Sequence, residues 1–257
     1  MIDHAARIES LFSSIPSLSE GQISWLSRVV EIFECPHCFN NFDSDLMDKT
    51  VLHDFGDALR IHHSFSAEPF GKDKFEYVLE RVLKMSGRQA RAVGRRQQGH
   101  DIVIDGVKVS LKTQSDKNIR QNIIWISKFM ELGGADFWGQ NPDDLIGLRQ
   151  LFLDHMRGYE RILTLRTLSR GPNWKYELVE IPKQLLEKAA EGRLEMKLKS
   201  VQNPKPGYCY VENDEGELLF QLYFDGGGEM KLQLQRLDKS ECKVHATWEF
   251  TIVEASE

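Results

Sequence analysis

The stretch HDIVIDGVKVSLKTQ, residues 100–114, decides how this chain folds. Asp105-Gly106 is a two-residue turn signal between apolar runs, which marks a β-hairpin. The turn pairs Ile104 with Val107, Val103 with Lys108, Ile102 with Val109 and Asp101 with Ser110. Side chains alternate along a strand, so Asp101, Ser110 and Lys112 share one face. Val109 and Leu111 point the other way, into a core. Three polar groups meeting beside an apolar layer require an explanation.

Before the hairpin, KDKFEYVLERVLKM (72–85) places Phe75, Val78, Leu79, Val82 and Leu83 on a helical stripe, with Glu76 and Glu80 beside it. A basic loop, 86–99, connects that helix to the hairpin. Earlier still, SLSEGQISWLSRVVEIF has helical spacing at Ile23, Leu26, Val29, Val30 and Phe33. Residues 34–66 are irregular and punctuated, and no element is assigned there. After the hairpin, 122–127 reads as a strand, 143–156 as a helix, and 161–168 and 174–181 as two strands. Pro182 opens a helix that Gly192 ends. From about residue 205 the texture is strands alone, in ELLFQLYF, EMKLQLQRL and CKVHATWEFTIV. The chain therefore reads as α+β with an antiparallel β-rich C-terminal part.

A chain of 257 residues, 41% hydrophobic and 28% charged, can bury a large core without disulfide staples. No run of 18 apolar residues suggests a membrane span, and MIDHAARIESLF lacks the basic and apolar regions of a signal peptide. Four cysteines, at 35, 38, 209 and 242, fit a reducing cytoplasm. The net charge of −6 argues against nucleic acid, but its distribution does not. Residues 81–120 carry ten Lys or Arg against three acids. Such a local basic region suits phosphate binding, although a solvated loop would show the same charges.

Phosphodiester hydrolysis would account for the polar face of the hairpin. Oxygen ligands hold Mg²⁺, which polarises the phosphate and lowers the pKa of a bound water. A nearby lysine orients that water and offsets charge on the phosphate. Asp101 and Lys112 supply two of these parts.

An acid at the start of one strand, an acid-x-Lys on the next and a preceding helix with Phe-Glu form the pattern of the PD-(D/E)XK nuclease superfamily, which this chain resembles. Within it, HHSFSAEPFGKDKFEYVLERVL followed by GHDIVIDGVKVSLKTQ is similar to type II restriction endonucleases, over roughly residues 60–130. YELVEIPKQLL is similar to the segment after the core in that group. The resemblance implies a restriction-endonuclease-like core with a central mixed β-sheet flanked by helices. It also implies Mg²⁺-dependent hydrolysis of double-stranded DNA, Mn²⁺ substituting, by a homodimer in a prokaryotic cytoplasm. Residues 67–200 would then be the nuclease core, 1–66 an N-terminal helical and irregular region, and 201–257 a β-rich segment and a candidate for DNA recognition.

By the same resemblance, Asp101 matches the metal-binding aspartate, Lys112 the motif lysine and Glu76 the glutamate of the preceding helix. His100 stands where the motif has proline, which supplies no ligand. Ser110 stands where the motif has its second acid, and a hydroxyl brings no negative charge. Glu76 is the first candidate to replace that acid, then Glu131, and the backbone carbonyl of Leu111 is a further metal ligand.

Arg88, Arg91, Arg95 and Arg96 are candidates to grip DNA phosphates. Gln114 and Lys117 leave the catalytic strand and extend that set. In the C-terminal strands, Lys231, Gln233 and Gln235 share one face, as do Lys243, His245 and Thr247. Amides and lysines on a two-stranded ribbon can read base edges in a major groove, and a half-exposed sheet has the same pattern. Cys35-Pro36-His37-Cys38 resembles half a zinc knuckle, but the chain has no second such pair, so structural zinc is not expected. Two rivals to a restriction enzyme stay open. One is a repair or junction-resolving nuclease that reads DNA shape. The other is a DNA-binding protein on a degenerate nuclease fold, for which Ser110 is the evidence.

Overall fold

The structure is a computed structural model and describes residues 4–94, 99–133, 138–139 and 141–253. Along the chain run α1 (His4–Ser14), α2 (Glu20–Glu34), β1 (His37–Asn41), α3 (Lys49–Phe65), α4 (Lys72–Met85), β2 (Ala90–Ala92), β3 (Ile102–Ile104) and β4 (Val107–Gln114). Next come β5 (Ile123–Glu131), α5 (Asp144–Met156), β6 (Arg161–Ser169), β7 (Asn173–Glu180), α6 (Lys183–Glu187), β8 (Arg193–Met196), β9 (Gly207–Glu212), β10 (Leu218–Asp225), β11 (Lys231–Asp238) and β12 (Lys243–Thr251).

Two sheets organise these elements. The first has seven strands in the order β1-β12-β7-β6-β4-β3-β2, and the second five in the order β5-β11-β10-β9-β8. The first is mixed: β4 and β6 run parallel and its other neighbours antiparallel. A crossover through β5 and α5 joins its parallel pair, as parallel strands require. The second sheet is antiparallel throughout. The chain is thus mixed α/β with a mixed central sheet and helices beside it, and the sheets draw on all three segments expected from the sequence.

The hairpin has the register its turn dictates, with Ile102 opposite Val109, Val103 opposite Lys108 and Ile104 opposite Val107. Asp105 has φ 49° and Gly106 φ 87°, the left-handed pair a two-residue hairpin turn needs. Val109 and Leu111 enter a core with Phe75, Leu79 and Leu83 of α4 and Phe55 and Leu59 of α3. On the opposite face, Ile162 and Val179 share a second core with Phe152 and Met156 of α5 and with the five-stranded sheet. Ser110 and Lys112 lie beside Ile162 and Thr164 of β6, so the polar face of the hairpin looks toward α5.

Residues 34–66, whose sequence predicts no regular element, contain β1 and the 17-residue helix α3. Asp48 caps α3, its carboxylate accepting the Val51 N–H at 2.9 Å. Val51, Leu52, Phe55 and Leu59 form its buried stripe. The strand expected over 122–127 extends to Glu131. The expected C-terminal ribbon does not form: β11 lies in the second sheet between β5 and β10, and β12 in the first between β1 and β7. No helix among the described residues is long and apolar enough to cross a membrane.

Candidate active site

Asp101 precedes β3, and its backbone N–H is tied to the Val109 carbonyl at 3.0 Å. Its carboxylate is held from three sides. Oδ2 accepts the Leu111 N–H at 2.6 Å and the Ser110 hydroxyl at 3.2 Å, and Oδ1 accepts Lys72 Nζ at 2.7 Å. Burial pushes this carboxyl upward, but the charges of Lys112 and Lys72 and the bonds from Lys72 and Leu111 outweigh it, so the net shift is downward. The N–H and C=O of one strand residue leave the same edge. The Leu111 carbonyl therefore faces the Asp101 side, beyond the end of β3.

Glu76 approaches from α4. Lys72, one turn earlier, reaches both acids, with Nζ 3.5 Å from Glu76 Oε1. The Glu76 carboxyl is pushed up first by burial, against Lys72, and further by the neighbouring Asp101 charge. Two carboxylates thus repel each other across one ammonium.

Lys112 is 7% exposed and lies 4.9 Å from the centre of the Phe129 ring. Burial pushes its ammonium down to about 8, while Asp101 and Glu76 hold it up and Lys72 adds to the fall. Around this lysine stand groups the sequence reading missed. Thr164 pairs with it across β4 and β6. His155 and Tyr159 stand with their rings 5.5 Å apart. His155 Nε2, Tyr159 OH and Thr164 Oγ1 are buried and have no hydrogen-bond partner among the described residues. The imidazole is pushed down to about 4, first by burial and then by the Lys112 charge. The turn after α5 reaches the hairpin because Gly158 packs against Gly99; a Cβ on Gly158 would lie 2.9 Å from the Gly99 Cα. No local pattern marks His155 or Tyr159, because their closeness to Asp101 depends on this long-range packing.

Of the two candidates to replace the missing acid, the structure brings Glu76 to Asp101. Glu131 instead pairs with Lys128 at 2.8 Å, on a side chain 70% exposed. Mg²⁺ is commonly held by one or two carboxylates and keeps several waters. Asp101, Glu76 and the Leu111 carbonyl fit that donor set, and an ammonium already sits against both acids. Among the described residues no group of three or more His, Cys, Asp or Glu could hold a metal ion. Cys35 and Cys38 are free thiols.

The other candidates are dispersed. Arg88 is committed to Asp105 at 2.6 Å and to the carbonyls of Asp45 and Leu46, so it braces the hairpin turn. Arg91 is exposed on β2, and Arg95 and Arg96 lie outside the described residues. Gln114 is buried and accepts from Arg166 at 2.7 Å, whereas Lys117 is exposed. Lys231 pairs with Glu229, and Gln233 donates to Asp225. Gln235 is buried between Gln221 and Gln233. Lys243 pairs with Asp45, and the buried His245 bonds Ser44 and Glu180. These C-terminal side chains are engaged within the chain, and Gln235 and His245 are not presented to solvent.

A family model described as SmaI, type II site-specific deoxyribonuclease, matches residues 11–250. The type II restriction enzyme SmaI of Serratia marcescens is 37% identical over 249 residues, covering 96% of this chain and 98% of that enzyme. No solved structure matches.

Proposed function

The chain belongs to the SmaI family of type II site-specific deoxyribonucleases, and from that premise we propose that it cuts double-stranded DNA at a defined sequence, with Mg²⁺, at the site of Asp101, Glu76 and Lys112. The observation that carries this reading is the convergence of two carboxylates and a buried lysine at the end of one hairpin. That convergence supports a PD-(D/E)XK reading in which the second acid comes from the helix instead of the strand.

Asp101, Glu76 and the Leu111 carbonyl would hold the ion. Bound there, Mg²⁺ supplies polarisation of the phosphate and a more acidic water. Lys112 directs its ammonium at the attacking water and offsets charge that builds on the phosphate. The water oxygen forms a new bond to phosphorus, and the sugar oxygen leaves with a proton. One end becomes a phosphate monoester and the other a hydroxyl. Ser110 keeps the Asp101 carboxylate in orientation through its 3.2 Å hydrogen bond. Lys72, whose side chain is 42% exposed, would exchange the acids for a DNA phosphate when the ion binds. Arg91 and Lys117 are exposed cations near the same hairpin and suit backbone contact.

A homodimer cutting one bond per strand is supported by the N-terminal helices. Leu11, Phe12, Trp25 and Val30 of α1 and α2 are each more than half exposed, an apolar surface of the kind that marks association.

Plasmid digestion with Mg²⁺ tests the reading. Discrete fragments are expected, with Mn²⁺ substituting. Asp101→Ala and Lys112→Ala should abolish cutting and leave DNA binding intact. Wild-type rates in either variant, or cutting of branched DNA alone, would overturn the assignment.

A further inference from the structure

Beyond the end of β4 a cavity of about 440 Å³ opens, walled by Gln114, Lys117, Arg120, Ile123, Trp125 and Arg236 among others. It begins two residues past Lys112 on the same strand, a step of about 7 Å.

Its floor is fixed from inside. The segment between β4 and β5 is anchored by Arg166, which is fully buried. The Arg166 guanidinium donates to the carbonyls of Arg120, Gln121 and Ile123 and to Gln114 Oε1, at 2.7 to 3.1 Å. Buried Glu177 balances its charge. One wall is built by a break in pairing. The register of β11 against β5 shifts between Leu234 and Leu237, and Arg236 there adopts φ 59°, a left-handed conformation rare for arginine. The bulge leaves Arg236 exposed at the cavity. Trp125 completes it with an indole that stays 38% exposed.

The lining is chemically specific. Lys117, Arg120 and Arg236 form no ion pair among the described residues, and Asp116 is the one acid among the lining residues. Three cations around a part-exposed indole suit an anion carried on a flat ring. A phosphate alone would have no use for Trp125, and an apolar ligand none for the cations. Within a duplex a base presents its edges, and its face becomes available when it leaves the stack. We propose that this cavity takes one nucleotide of the bound DNA out of the helical stack, with its base on Trp125 and its phosphate between Arg120 and Arg236. The inference rests on the DNA-cleaving reading above and places the displaced nucleotide within a few steps of the cut.

The test uses the wild-type protein with Ca²⁺ and duplexes spanning a cleavage site mapped by plasmid digestion. Each carries 2-aminopurine at a different position near the cut, and anisotropy of an end label reports binding. Emission should rise several-fold at one position. Trp125→Leu and Arg236→Gln, with melting temperatures checked against wild type, should each remove that rise. A bound duplex with no responsive position would overturn the proposal, as would a rise unchanged in both variants. Flat anisotropy with every duplex would remove the DNA-cleaving reading as well, and that failure is visible before any emission is compared.

Discussion

Replacing Arg166 with methionine would test how the β4–β5 segment is held. The side chain is 0% exposed. Burial lowers its pKa more than the Glu177 charge raises it, so pairing does not fully offset the loss of water. Methionine matches the length of the stem and removes every donor. The carbonyls of Arg120 and Gln121 belong to exposed residues and that of Ile123 to a half-buried one, so their loss adds little, whereas the buried Gln114 amide oxygen also loses its Arg166 donor. Glu177, 2% exposed, cannot turn to water, and keeps Lys239 at 3.0 Å as its remaining partner. Breaking a buried pair by removing one member costs about 3–5 kcal/mol; the surviving lysine places this case near the lower end. At about 2–4 °C per kcal/mol for a chain of this size, Arg166→Met should melt roughly 6–12 °C below wild type. Calorimetry or circular dichroism reads the shift. Adding Glu177→Gln removes the stranded carboxylate, so the double variant should recover part of the loss. A single variant within about 2 °C of wild type, or a double variant less stable than the single, would refute the reasoning.

The same geometry sets three further outcomes. Glu76→Gln should reduce cleavage by more than the ~10–100-fold typical of residues that only orient a metal ligand; Ser110→Ala removes one hydrogen bond worth about 1 kcal/mol and should cost near fivefold, and plasmid cleavage rates compare the two. Lys72→Met removes a part-exposed ion pair worth up to about 1 kcal/mol that competes for both carboxylates, so Ca²⁺ should bind the free protein up to roughly fivefold more tightly, and weaker binding by calorimetry would sink the competition. Glu180 is held down at about 2: burial opposes this, but the bonds from His245 and Arg161 prevail. A depressed carboxylate stabilises the fold above its unfolded pKa and loses that contribution as pH falls toward the folded value. Glu180→Gln should therefore cost about 3 kcal/mol at pH 7, with the gap closing between about pH 4.5 and 2, as urea unfolding at several pH values would show.

The hairpin and α4 were legible because local chemistry decides them: Asp105-Gly106 sets the register, and Phe75, Leu79 and Leu83 set the buried face. Helix α3 was not, because its stripe is interrupted by Gly56 and crowded with polar residues. That glycine has a long-range cause, since a Cβ there would sit 2.4 Å from the Phe39 ring of β1. Strands β11 and β12 show the limit most clearly. Both alternate polar and apolar residues, yet one pairs with β5 and β10 and the other with β1 and β7. Period-two alternation says which side chains share a face, not which sheet receives the strand. At the candidate site, one turn placed Asp101, Ser110 and Lys112 on a shared face, whereas Glu76 was named through the resemblance to nucleases. Lys72 carried a local mark, its spacing of four from Glu76. His155, Tyr159 and Thr164 reach Lys112 through packing of α5 and β6, which no window of sequence contains.

Ser110 makes physical sense once the charges around it are set out. Asp101 and Glu76 stand against Lys72 and Lys112, two of each sign. Position 110 is 1% exposed and its side chain touches the Asp101 carboxylate. An acid there would be nearly dry and within hydrogen-bond reach of a like charge, the arrangement that drives one of two carboxylates to stay protonated. The side chain of Glu76 is 21% exposed and shares Lys72, one helical turn away, with Asp101. At that rim Lys72 opposes the rise that burial and the Asp101 charge impose on the Glu76 carboxyl. The hydroxyl at 110 donates to Asp101, which an ionised acid at that position cannot do. On the proposed reading the second carboxylate comes from the helix, and the strand position instead supports the first through the Ser110 hydrogen bond.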